Sequence, residues 1–206
     1  VPMGEGYEIQ VLDWLWYGYH DREHADDIRR ALEIDWQPRA LAFIPEIEAK
    51  LPVLIRAYEG FLRAAYSVAD DAWVEPSADC PGWTYHDIVA HISSNEAGRR
   101  ARLFRAVLGE GQITDPSLSD IDGWNEAAVA ERRDWPIRRL IDEYAAAWNS
   151  IRESLANFRP EHLETKVEFT GVATLSIAEF LDRMGGHVSG HAGHLVAASR
   201  ARRHSH

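Results

Sequence analysis

Apolar positions recur at helical spacing along nearly the whole chain, and proline, glycine and capping residues separate the periodic runs. In "IQVLDWLWYGYHDREHADDIRRAL", residues 9–32, Leu12, Leu15, Trp16, Tyr19, Ile28 and Leu32 follow that spacing, and Gln37-Pro38 ends the run. A second helix is expected over residues 45–68, with Pro52 either a kink or the true start. "CPGW" at 80–83 reads as a turn. The next helix opens at Thr84. Asp87 supplies a capping box, Trp83 and Ile88 a hydrophobic staple, and Gly109 and Gly111 mark its end.

Residues 110–133 are expected to form a long acidic connection. A further helix starts after Asp134, carries Pro136 in its first turn and runs to about Phe158. "KVEFTGVATL" at 166–175 reads as an extended return. Ser176 then caps the last helix, with Glu179 completing a capping box and Leu175 and Phe180 as the staple. The expected fold is all-α: a four-helix bundle with one long crossover over residues 38–206, plus an extra N-terminal helix in residues 1–37.

Composition narrows the function classes. Net charge is −11, against the basic face that DNA and RNA binders use to displace counterions, so no nucleic-acid partner is expected. No apolar run approaches the roughly 18 residues a membrane helix needs, and no signal peptide is evident. A single cysteine, Cys80, excludes an internal disulfide and fits a cytoplasmic setting. Cys80 has no basic neighbour in sequence and is not read as a nucleophile. Met3 reads either as a native start or as part of a longer chain.

Candidate chemistry concentrates in "GGHVSGHAGHL", residues 185–195. His187 and His191 are four apart and share a helix face, a spacing at which two imidazoles can chelate one divalent ion. His91 lies two turns into another bundle helix, and bundle metal ligands converge from facing helices. Three neutral histidines leave open positions on an ion, the pattern of a catalytic site. Zinc and nickel come first among the metals such ligands suit.

Gly185, Gly186, Gly190 and Gly193 each lower helix propensity by about 1 kcal/mol relative to alanine. Close helix packing, or room for a ligand beside the ion, would offset that cost. His194, three residues after His191, is a candidate acid/base or outer partner, or a solvated core-edge residue. Asn95 and Arg99 continue the His91 stripe. Arg99 could hold a carboxylate of a substrate or thiol, or form an ion pair. His86 is read as a first-turn surface residue, and His162 as a loop residue.

"PGWTYHDIVAHI", "DGWNEA", "GVATLSIAEFLDRM" and "GHVSGHAGHL" together resemble the DinB-like metal-binding four-helix bundles, which include the mycothiol-dependent maleylpyruvate isomerases and related thiol S-transferases. The likeness covers residues 40–200. It implies His91, His187 and His191 as metal ligands, a low-molecular-weight thiol as cofactor and a small molecule as substrate. The isomerase branch often carries glutamate where His187 stands.

The N-terminal "HDREHADDIRRA" and the C-terminal "HVSGHAGHLVAA" share the pattern H-x-x-x-H-A-x-x-[I/L]-x-x-A. Residues 1–37 therefore read as the last helix of an upstream, truncated DinB-like domain, or as an added helix that resembles one. His20 and His24 are expected to bind no metal for want of a third ligand. The face carrying Trp14, Leu15, Trp16, Tyr17 and Tyr19 is expected to cover the bundle or form a homodimer. Three functional readings remain: a metal-dependent enzyme acting on a small electrophile through an activated thiol or water, a non-catalytic sequestering bundle, and an unmetallated structural bundle.

Overall fold

A computed structural model describes residues 41–111, 120–169 and 173–203. The expectations for residues 1–37, including the tandem remnant, the His20/His24 pair and the aromatic face, lie outside the described residues. Backbone contacts divide the chain into Val1–Ala40 and Leu41–His206, and the second unit contains the bundle.

The helix expected over residues 45–68 is two pieces, α1 (Pro45–Glu48) and α2 (Leu51–Ser67). Pro52 has no N–H to give the carbonyl of residue 48, so the chain breaks there and Pro52 sits in the first turn of α2. Leu54, Tyr58, Phe61 and Ala65 recur at i, i+4, i+7 and i+11 and are all buried. Fully burying a side chain of this size stabilises by about 1.5–3 kcal/mol. Tyr58 stacks on Trp148 and Tyr144, with ring centroids 4.0 and 5.5 Å away.

Helix α3 (Tyr85–Ser94) starts at Thr84 as its capping residues predict. The Asp87 N–H donates to Thr84 Oγ1 (3.2 Å), and the Thr84 N–H donates to Asp87 Oδ2 (2.9 Å). A π turn over Asn95–Arg100 follows and continues into α4 (Ala101–Val107). A π turn inserts a residue relative to the α-helical register. Asn95, Glu96 and Arg100 are all buried in this segment. Sequence periodicity gives no warning of it.

The expected irregular connection contains a helix, α5 (Ile121–Arg132), capped by the Asp120 carboxylate accepting from the Gly123 N–H (2.9 Å). Its only buried apolar residues are Ala128 and Val129, too few to stand out as a periodic stripe. It is held by polar contacts instead. Arg132 donates to both oxygens of Glu143 on the next long helix (2.9 Å each), and Ser93 of α3 donates to the same carboxylate.

That next helix, α6 (Ile137–Ala156), begins after Pro136, and Leu140, Tyr144, Ile151 and Leu155 fill the core from it. A single turn, α7 (Pro160–Leu163), leads to β1 (Lys166–Phe169) and β2 (Ala173–Ser176), which pair antiparallel with Val167 opposite Leu175. The last helix, α8 (Ile177–Arg203), opens with the predicted capping box: the Glu179 N–H donates to Ser176 Oγ (3.2 Å), and the Ser176 N–H to Glu179 Oε2 (2.7 Å). Helix α8 packs mainly on α2, and α3 and α4 pack on α6. Among the described residues the fold is an all-α bundle with one small antiparallel hairpin.

Gly185 faces α2, where an added Cβ would meet Val53, Leu54 and Ala57 at 3.6–3.8 Å. Gly186, Gly190 and Gly193 are different. They are exposed, and an added Cβ would meet nothing within 4 Å. Tight helix crossing therefore does not explain these three glycines. The core face of α8 is formed by Leu181, Met184, Val188 and Leu195, and the histidines lie on the stripe beside it.

Candidate metal centre

Helix α3 carries His91 inward, two turns beyond its cap, with the Trp83 ring 4.9 Å from its imidazole. Helix α8 presents His187 and His191 one turn apart, their ring centroids 4.9 Å from each other. The His91 ring lies 5.5 Å from His187 and 5.1 Å from His191. One ring nitrogen from each of the three falls within 4.8 Å of the others. The helices thus bring together three residues separated by up to 100 positions in sequence.

All three imidazoles are held neutral. His91 is lowered to about 3, first by burial and then by His191 and Arg100. His187 is lowered to about 2, by burial and then Arg100 and the other two histidines, and His191 to about 4, by burial, His194 and Arg100. Neutral imidazole with a free lone pair is the form a metal requires. His191 Nδ1 is buried and has no hydrogen-bond partner, leaving an unsatisfied polar atom in the middle of the cluster. The donor set and the orphaned nitrogen both fit a borderline divalent ion such as zinc.

Behind the histidines runs a buried polar chain. Tyr58 donates to Glu96, and Arg100 donates to Glu96 with one terminal nitrogen and to His187 Nδ1 (3.0 Å) with the other. Burial raises the Glu96 carboxyl above its ordinary range, against the pull of Arg100 and the Tyr58 hydroxyl. Burial and Glu96 together raise the Tyr58 phenol. The π turn places Glu96 and Arg100 in this chain. An E-x-x-x-R pair downstream of His91 was visible in sequence, but its burial was not.

Asn95 is buried. Its amide nitrogen lies 3.3 Å from both ring nitrogens of His91, and its carbonyl accepts from Arg99 (3.3 Å). The Arg99 guanidinium also lies over the Trp124 ring of α5, 5.0 Å from its centre. Arg99 is thus braced between His91's neighbour and the "DGWNE" segment.

His194 stands beside His191 (5.1 Å between ring centroids), and its Nδ1 lies 3.3 Å from Cys80 Sγ. The thiol that lacks basic neighbours in sequence therefore has an imidazole partner in space. Burial pushes that thiol up from its ordinary value, only partly offset by Ser77. His86 departs from its surface reading: it is half-buried, with Nε2 2.8 Å from the Trp135 carbonyl oxygen. His162 accepts from the Arg159 N–H (2.9 Å), capping its own short helix.

The fold and this cluster define the class, a DinB-like helical bundle with a histidine-lined site. Residues 55–192 match the mycothiol maleylpyruvate isomerase N-terminal domain family, and the chain belongs to that family. Two solved structures share the fold: a mycothiol-dependent maleylpyruvate isomerase and a histidine-to-alanine mutant of it. Each is 17% identical, with a TM-score of 0.62 over 74% of this chain and 61% of theirs. The likeness to these two shows the fold, and the match spans 61% of their length. No curated protein matches the chain.

Proposed function

We propose that His91, His187 and His191 hold one divalent ion, zinc or nickel, and that the protein is a metal-dependent enzyme acting on a small electrophile with a low-molecular-weight thiol or water. The observation that carries this reading is the convergence of three neutral ring nitrogens within 4.8 Å, from two helices of a family defined by a mycothiol-dependent isomerase. An ion there would lower the pKa of a bound thiol or water and supply a nucleophile at neutral pH.

The residues around the histidines favour an anionic reactant. No carboxylate stands among the three. Glu96 is turned away toward Tyr58 and Arg100. Arg99 and Arg100 add positive charge beside the cluster, and Arg99, stacked on Trp124, would orient a carboxylate of the reactant. Trp83 supplies an apolar wall next to His91. His194 is the candidate proton carrier, one turn from His191.

The test is elemental analysis of protein purified without a metal-affinity column, followed by turnover assays pairing thiols with electrophiles such as maleylpyruvate. One ion per chain, with thiol- and metal-dependent turnover lost in His91→Ala, is the expected result. Stoichiometric metal without turnover would leave a sequestering bundle. Absence of metal binding would overturn the proposal.

A further inference from the structure

A second ligand set adjoins the first. Cys80 Sγ, a His191 ring nitrogen and a His194 ring nitrogen also lie within 4.8 Å of one another. Cys80 belongs to the turn before α3, and both histidines belong to α8. The Cys80–His194 separation of 3.3 Å is close to what one ion would impose. Zn–S and Zn–N bonds of about 2.3 and 2.05 Å at a tetrahedral angle put sulfur and nitrogen about 3.6 Å apart. The orphaned Nδ1 of His191 adds a buried, unsatisfied donor atom on the residue both sets share.

We propose that Cys80, His191 and His194 form a second metal position, selective for soft, thiophilic divalent ions such as cadmium. Thiolate changes the chemistry of the site: three imidazoles accept a broad range of first-row ions, while sulfur selects the softer ones. On binding, Cys80 gives its proton to solvent and the sulfur lone pair goes to the ion. A neutral imidazole has one in-plane lone pair, so an ion held by this set withdraws His191 from the first. The two positions are alternatives, and the identity of the ion decides which is filled. This inference does not depend on the enzymatic reading above.

The test titrates metal-free protein with cobalt(II) and cadmium(II) in thiol-free buffer, reading the near-ultraviolet thiolate-to-metal charge-transfer band. Cys80 is the only cysteine, so any such band reports on it. The expected results are a band in the native chain, its retention in a His91→Ala/His187→Ala variant, and its loss in Cys80→Ser. His194→Gln, which keeps the thiol, is expected to weaken cadmium binding about tenfold or more, the lower end of what losing even an outer partner costs a metal site. Cadmium binding without a thiolate band would overturn this inference while leaving the His91 set standing. Unchanged cadmium affinity in His194→Gln would also overturn it. A thiolate band without thiol-dependent turnover would support it and count against the enzyme.

Discussion

Arg100 donates to Nδ1 of His187 across 3.0 Å, joining the π turn to the last helix. Arginine can only donate, so Nδ1 is the acceptor and the neutral ring carries its proton on Nε2. The other end of the guanidinium is tied to the fully buried Glu96, which also accepts from Tyr58. The tautomer of a candidate ligand is thus set from the core. Ligation through Nδ1 would require Arg100 to let go, and ligation through Nε2 would move the ring proton to Nδ1 and so displace Arg100 as well.

Removing one end of this chain is expected to be severe. Arg100→Met strands the Glu96 carboxylate without its cation, and breaking a buried pair costs about 3–5 kcal/mol. The double variant Arg100→Met/Glu96→Gln is expected to recover a large part of the loss, because no unpaired charge remains buried. Urea denaturation of both single variants and the double gives the coupling. Simple additivity would show that the pair is not interacting in the fold.

Gly190→Ala is expected to stabilise by about 1 kcal/mol, the helix-propensity difference. An added Cβ there meets nothing within 4 Å, so no clash opposes the gain. Gly186→Ala is expected to behave alike, whereas Gly185→Ala must fit a methyl between Val53 and Leu54. Thermal melts of the three variants check the order. A loss at Gly190 would point to a ligand occupying that space.

Metal-free protein is expected to lose stability on acidification. The three histidines titrate at about 3, 2 and 4 in the fold, below the ordinary value of 6.5. Between those limits the unfolded chain binds more protons than the folded one, so stability falls with pH. The contribution is complete above pH 6.5 and drains away toward the folded values. Each histidine adds at most about 1.4 kcal/mol per pH unit to the slope. Denaturation at pH 7.5 and 5 measures it, and His187→Asn is expected to flatten it.

Divalent ions are expected to raise the melting temperature and a chelator to reverse the rise. An ion that binds only the folded chain stabilises by about 2.7 kcal/mol at a hundred times its Kd. His191→Ala is expected to abolish the effect for every ion, since His191 belongs to both ligand sets. His91→Ala is expected to abolish it only for ions that do not favour sulfur.

Local chemistry made much of the fold readable in advance. Thr84/Asp87 and Ser176/Glu179 satisfy the first N–H groups of α3 and α8, and Pro52 and Pro136 set where α2 and α6 begin; these effects reach only a few residues along the chain. His187 and His191 share a face by helical geometry alone, and pairing them with His91 needed only the resemblance and the rule that bundle ligands converge. Other features depend on contacts between distant segments, which no periodicity encodes. Helix α5 is fastened by Arg132 to Glu143 rather than by an apolar stripe. The π turn aims Glu96 and Arg100 at Tyr58 and His187. Cys80 meets His194 across 114 positions of sequence. The sequence by itself determined where the long, capped helices run and the faces they would bury. Tertiary structure alone decided which buried charges, ring nitrogens and sulfur stand within reach of one another, because those distances are set by how the helices pack.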